Sequence, residues 1–340
     1  MTVDTPPRPD ISGVQRARRL VSPALKDNLQ VYIPLIVIII GLAVFTNSQN
    51  ANFLSSGNIK QVLVAHSVLG ILAIGQTMLL VAGQFDLSVG SMVSFGAVLT
   101  AKQLTAGVPE SMAVLIVLLV AGATGLVWGL LVALIRIAPF ILTLGGLAVF
   151  ASAAVTLSRS TTIPIPDGLL WLQSGSLIGI PTPILLWLGA LVVGGLLLHF
   201  TRFGHRLYAV GANEEAAFLA GISVVRVKII VFVINGVLAG LAAVVMAGRS
   251  GAGDPHVGGG LELTTIAAIV LGGASLAGGR GTILGSFLGV LVLGVVTSSL
   301  TFLNVPNSYN QFVFGAILIA AVTVTATAEL RRRRTNAKRR

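Results

Sequence analysis

Residues 59–82 read IKQVLVAHSVLGILAIGQTMLLVA, and Lys60 is the single charge among them. A helix rises 1.5 Å per residue, so this run would be roughly 36 Å long, enough to cross a hydrocarbon layer of about 30 Å. It leads directly into GQFDLSVGSM at 83–92. Outward from it, similar apolar runs recur at about 31–46, 87–104, 111–135, 138–158, 182–200, 228–248, 263–277, 281–303 and 311–328. Ten candidate spans predict an all-α, polytopic integral membrane protein built as a helical bundle. The first, third and eighth runs are short or interrupted by glycine, so they are expected to be tilted or broken.

Composition points the same way. Of 340 residues 55% are hydrophobic and only 10% charged, whereas a soluble domain carries about a quarter charged residues. So few charges cannot cover a water-facing surface, which implies a lipid-facing one. The 40 glycines fit close helix–helix approach in a bilayer. With no cysteine, disulfides, Cys-based metal sites and thiol nucleophiles are excluded.

The net charge of +11 comes from basic residues between the apolar runs and at both ends, without interleaved aromatics. This is the positive-inside pattern rather than a nucleic-acid patch. With the N-terminus inside and strict alternation, 18 of the 22 Lys and Arg residues fall in cytosolic segments. Only Lys60, Lys102, Arg159 and Arg249 lie outside. The expected layout is a cytosolic tail at 1–28, a transmembrane domain at 29–330 and a basic cytosolic tail at 331–340, both termini being cytosolic. No small-residue cleavage site follows the first apolar run, so that run is expected to remain as an uncleaved span.

Three longer connections stand out. Residues 159–181 and 249–262 are external in this layout, and 201–227 are cytosolic. The external pair carries Arg159, Asp167, Arg249, Asp254 and Glu262, candidates for docking an external partner. Within the cytosolic loop, Glu215–Ala216–Ala217 and Gly221 read as a short helix with an acidic first turn and a glycine stop. A weak repeat aligns Gly83, Leu87, Gly90 and Gly96 with Gly272, Leu276, Gly279 and Gly285. Small-xxx-small steps at Gly125/Gly129, Gly236/Gly240 and Gly281/Gly285/Gly289 predict close helix packing, within the chain rather than between copies.

Chemistry is sparse. There is no Walker A motif, no H-E-x-x-H and no G-x-S-x-G, and the four histidines lack ligand spacing. No catalytic residue, metal site or cofactor is expected, and any ATP would be bound by a partner chain. Gln76, Thr77, Thr143, Ser152, Asn235 and Thr265 are uncharged polar residues inside spans. Such residues could line the path of a neutral solute, as could Asp86 with Ser88 beside it. Each could equally serve interhelical hydrogen bonding, or, for Asp86, helix capping.

Four segments in order resemble the permease family of ribose, xylose and related sugar ABC importers. They are GQFDLSVGSM, APFILTLGGL at 138–147, YAVGANEEAAFLAGI at Tyr208–Ile222, and the glycine-rich Glu262–Gly289. Gln84 stands where that family usually has its second glycine. The resemblance implies a non-catalytic subunit in the bacterial inner membrane that translocates a monosaccharide. It implies a second permease copy, a separate ATPase subunit and a periplasmic sugar-binding protein as partners. It further implies that the loop region carrying Gly211, Asn213, Glu214, Glu215, Ala216, Ala217 and Gly221 couples to the ATPase, with Glu214 to Gly221 as the coupling helix. Alternatives are a branched-chain amino acid or nucleoside permease of the same superfamily, or a stand-alone secondary transporter. The latter would be expected to carry an intramembrane ionisable relay, and Asp86, Glu262 and His66 form no evident one.

Overall fold

The computed structural model describes residues 13–165, 168–306, 308–309, 312–317, 319–320 and 323, with side chains from Leu29 onward. The tail at 1–12, Asp167, half of the 311–328 run and the 331–340 tail lie outside the described residues. In chain order the elements are α1 (Gly13–Gln49), α2 (Ser56–Val81), α3 (Val89–Thr105), α4 (Glu110–Leu130), α5 (Pro139–Ser158), β1 (Ile163–Pro164), α6 (Leu170–Gln173), β2 (Ser176–Leu177), β3 (Ile180–Pro181), α7 (Thr182–Phe200), α8 (Arg202–Ala212), α9 (Glu214–Leu219), α10 (Val224–Ser250), β4 (Ala252–Gly253), α11 (Leu261–Leu271) and α12 (Ile283–Phe302). A π-helical turn, Leu131–Ile135, extends α4.

Among the described residues seven helices are long and apolar enough to span a bilayer: Leu29–Gln49 within α1, α2, α4 with its π turn, α5, α7, α10 and α12. The chain is an all-α, multi-pass membrane protein. Helices α2 and α10 form the centre, their inner faces fully enclosed. Ile33, Val37, Ile141 and Val193 on α1, α5 and α7 are exposed, as a lipid-facing surface requires.

The third and eighth runs form short helices, as expected, and the eighth ends well before its expected bound. Helix α3 has 17 residues, and α11 has 11, covering roughly 16 Å or half a bilayer. The 263–277 run does not continue as helix past Leu271. The Gly273 amide donates to Val270 O at 2.9 Å and the Ala274 amide to Ile269 O at 3.0 Å, and Gly273 has φ +88°. That left-handed turn stops the helix. The same turn ends α2, where the Gly83 and Gln84 amides donate to Leu80 O and Leu79 O, both at 2.9 Å. The repeat read from the sequence is thus a repeated helix–turn–helix unit, α2–α3 and α11–α12. The equivalent turn residues are Gly83 and Gly273, one position from the pairing expected.

Two of the three glycine steps face each other. A Cβ on Gly236 would lie 2.3 Å from Ala121 O, and one on Gly125 would lie 2.2 Å from Phe232 O, so α4 and α10 meet backbone to backbone. Gly285 and Gly289 do the same against Gly272 and Ala268 of α11. Gly281 precedes α12 and belongs to the turn instead.

The ends of the bundle sort as the alternation predicts. The loops around 163 and 252 are joined by the β1–β4 ladder, Ile163 opposite Gly253 and Pro164 opposite Ala252. At the opposite end Val81, Gly211 and Gly279 meet, the Gly279 amide donating to Val81 O at 2.9 Å. Because the chain has no cysteine, single substitutions report sidedness directly. His256→Cys should react with an impermeant maleimide added to intact cells, and Arg206→Cys should react only after lysis. Labelling of Arg206→Cys from outside would overturn this layout.

Candidate functional site

The end of α2 sets up the site. After the turn at Gly83 the chain does not start a helix. Residues 84–88 climb back beside α2 as irregular backbone inside the bundle. Irregular backbone at membrane depth is tolerated only when protein satisfies its polar groups. Here four helices do so. The Gln76 amide of α2 donates to Asp86 O. Thr143 of α5 accepts from the Leu87 amide at 3.0 Å. Asn235 of α10 donates from Nδ2 to Asp86 Oδ2 at 2.8 Å. Trp128 of α4 donates from Nε1 to Ser88 Oγ at 3.2 Å. The other carboxylate oxygen of Asp86 accepts from the Ser88 amide at 2.8 Å and hydroxyl at 2.5 Å. Asp86 is 4% exposed.

Five residues read separately from the sequence, Gln76, Asp86, Ser88, Thr143 and Asn235, are therefore one buried network. Trp128 belongs to it and was missed, because an indole in an apolar run carries no sequence signal of a partner. Thr77 and Thr265 lie elsewhere. Thr77 Oγ1 bonds Ser286 Oγ of α12 at 2.6 Å, and Thr265 Oγ1 donates to Leu261 O at 2.6 Å. All seven residues are buried.

A second assembly lies below this loop. Helix α8 is amphipathic and ends against the α2 turn, with Gly211 so close that a Cβ would lie 1.8 Å from Val81 O. Asn213 caps α9 by accepting from the Ala216 amide at 2.9 Å. Gly221 closes it with φ +79°, its amide donating to Phe218 O and that of Ile222 to Ala217 O. The short helix read from the sequence is present, and its neighbours are now visible. Glu214 pairs with Lys228 at 2.6 Å and lies 3.5 Å from Gln84 Nε2. Ala217 points into the core, whereas Glu215, Ala216, Phe218 and Leu219 point away from it. Phe218 and Leu219 are 69% and 79% exposed. Tyr208 donates to Gly281 O at 2.6 Å, tying α8 to the α11–α12 turn. Burial, then the nearby Tyr32, holds its phenol up at about 12, so it stays a protonated donor at neutral pH.

The expected docking residues are not equally available. Arg249 donates from Nη1 to Val64 O and Ala65 O at 3.3 and 2.8 Å. Asp254 accepts from the His256 amide at 2.9 Å. Glu262 lies over the first turn of α3, where a Cβ on Gly90 would touch its carboxylate. Asp167 is outside the described residues.

Residues 58–322 match the family model described as branched-chain amino acid transport system / permease component. The chain belongs to this permease family. The permease is 40% identical over 272 residues to the L-arabinose ABC transporter permease protein AraH of Azospirillum brasilense, covering 80% of both chains. It is 35% identical over 286 residues to the ribose import permease protein RbsC of Bacillus subtilis (strain 168), covering 83% of this chain and 88% of that one. With the xylose transport system permease protein XylH of Escherichia coli (strain K12) it shares 30% over 369 residues, covering 89% and 93%. No solved structure matches it. The matched span runs from α2 through α12, so it contains both the Asp86 network and the α8–α9 segment of the permease.

Proposed function

We propose that this permease carries a monosaccharide inward across the bacterial inner membrane as the non-catalytic, membrane-spanning subunit of an ABC importer. The observation that carries the reading is the near full-length similarity to relatives named for arabinose, ribose and xylose. A separate ATPase binds and hydrolyses ATP and docks on the outward face of α9, where Phe218 and Leu219 present apolar side chains toward the cytosol. Displacement of α9 reaches the α2 turn through Gly211 against Val81 and through Glu214 beside Gln84. A periplasmic binding protein delivers the sugar to the end formed by the β1–β4 ladder, and a second permease copy completes the path.

The test is reconstitution with an ABC ATPase subunit and a periplasmic sugar-binding protein from the same organism. Proteoliposomes should accumulate at least one of L-arabinose, D-ribose, D-xylose or D-allose in an ATP-dependent way, and should not accumulate L-leucine. Leucine uptake without sugar uptake would instead support the amino acid branch of the family.

A further inference from the structure

Hydroxyls inside membrane helices ordinarily bond the carbonyl one turn back, because lipid offers no other partner. Here Thr77, Thr100, Thr124 and Thr143 all do so, at 2.5–3.0 Å. Ser152 and Thr156 of α5 do not, and neither has a partner among the described residues. They are four residues apart, so they stand one above the other on the same exposed face. They project into an open, shallow groove whose walls are Ala148, Val149, Ala153 and Leu157 of α5 and Phe95 of α3. No charged residue lines it. Phe95 and Phe150 have ring centroids 5.5 Å apart, and Trp128 stands 6.4 Å beyond Phe150. Because Trp128 also bonds Ser88, this aromatic row connects the groove to the Asp86 network. Two turns before Ser152, Gly145 continues the stripe with open space where a Cβ would stand.

We propose that this α3–α5 groove is a monosaccharide-binding station in the external half of the translocation path. In it Ser152 and Thr156 supply hydrogen bonds, and Phe95 supplies an apolar ring face. A sugar is neutral and presents several hydroxyls on one side and C–H bonds on the other. Two hydroxyls and one ring recognise such a solute without charge and hold it weakly enough to release. An acyl chain would leave both hydroxyls unmatched. The inference rests on the importer reading, but its test separates the two.

In the assembled importer, Ser152→Cys and Thr156→Cys should each react in cells with the charged, water-soluble reagent MTSET. The reaction should slow in the presence of the transported pentose, and the modified transporter should lose uptake. Val193→Cys on α7, an exposed apolar position, should not react. The double variant Ser152→Ala/Thr156→Val should assemble and hydrolyse ATP normally. Its uptake should fall about tenfold, the effect of two weak neutral hydrogen bonds, and the ratio of D-ribose to D-xylose uptake should change. Reaction with N-phenylmaleimide but not MTSET would place the face in lipid and overturn the proposal. Efficient disulfide formation between two copies of Ser152→Cys without MTSET reactivity would make it a packing seam and overturn it equally. Normal uptake and an unchanged sugar ratio in the double variant would also overturn it. If wild-type proteoliposomes move no sugar while Ser152→Cys still reacts with MTSET, the importer reading is what fails.

Discussion

Ala217→Pro is expected to abolish uptake while leaving the permease in the membrane. In the structure the Ala217 amide donates to Asn213 O at 3.0 Å, within a helix of only six residues. Proline removes that donor, and its ring clashes with the same carbonyl, at a cost of roughly 3 kcal/mol. A six-residue helix has no spare turns to absorb this. The spans lie elsewhere, so insertion should be unaffected. Ala216→Trp is the complementary variant. Ala216 is exposed, so tryptophan there projects away from the described core toward a docked partner. Both variants should lose ATP-driven sugar uptake in proteoliposomes. Ala216→Trp should also fail to pull down the ATPase. Full uptake by Ala217→Pro with normal ATPase binding would remove α9 from the coupling path.

Asp86→Ala is expected to be the most damaging single side-chain deletion in the bundle. It strips acceptors from the Ser88 amide, the Ser88 hydroxyl and Asn235 Nδ2 at once. Unmatched buried donors cost about 1–3 kcal/mol each, with partial relief where the hydroxyl can rotate. The irregular loop at 84–88 loses what pins it to α10. The variant should unfold at a clearly lower temperature in detergent, and uptake should fall at least tenfold. Asp86→Asn keeps an acceptor for Ser88 but turns an amide donor toward the Asn235 amide. The exchange Asp86→Asn/Asn235→Asp restores one donor–acceptor match and should recover much of the stability lost by Asp86→Asn. That coupling is measurable as a double-mutant cycle. Wild-type stability and uptake in Asp86→Ala would mean that the network neither braces the loop nor matters for transport.

The two variants probe the two ends of one continuous chain of contacts. From α9 it runs through Glu214 and Gln84 to the α2 turn, and from there through residues 84–88 to Asn235 at the centre of α10. Gln84, with Nε2 3.5 Å from Glu214 Oε1, is the side chain that bridges the two segments.

Composition and hydropathy alone determined that the chain crosses a bilayer many times. Lipid is an apolar solvent, so a run such as 59–82 has one stable environment wherever its neighbours stand. The short helix at Glu214–Leu219 was legible for a similar reason, since its cap at Asn213 and stop at Gly221 are local devices. Glycine spacing announced close packing, but only the fold showed that Gly125 and Gly236 pack on each other's helices. The end of α11 was misjudged because apolar residues continue past the turn at Gly273, and hydropathy does not register a left-handed backbone. Above all, tertiary structure decided that Gln76, Asp86, Ser88, Thr143 and Asn235 form one network. They come from α2, the loop after it, α5 and α10, and a hydrogen bond depends on distances of about 3 Å that only the packing of those helices sets.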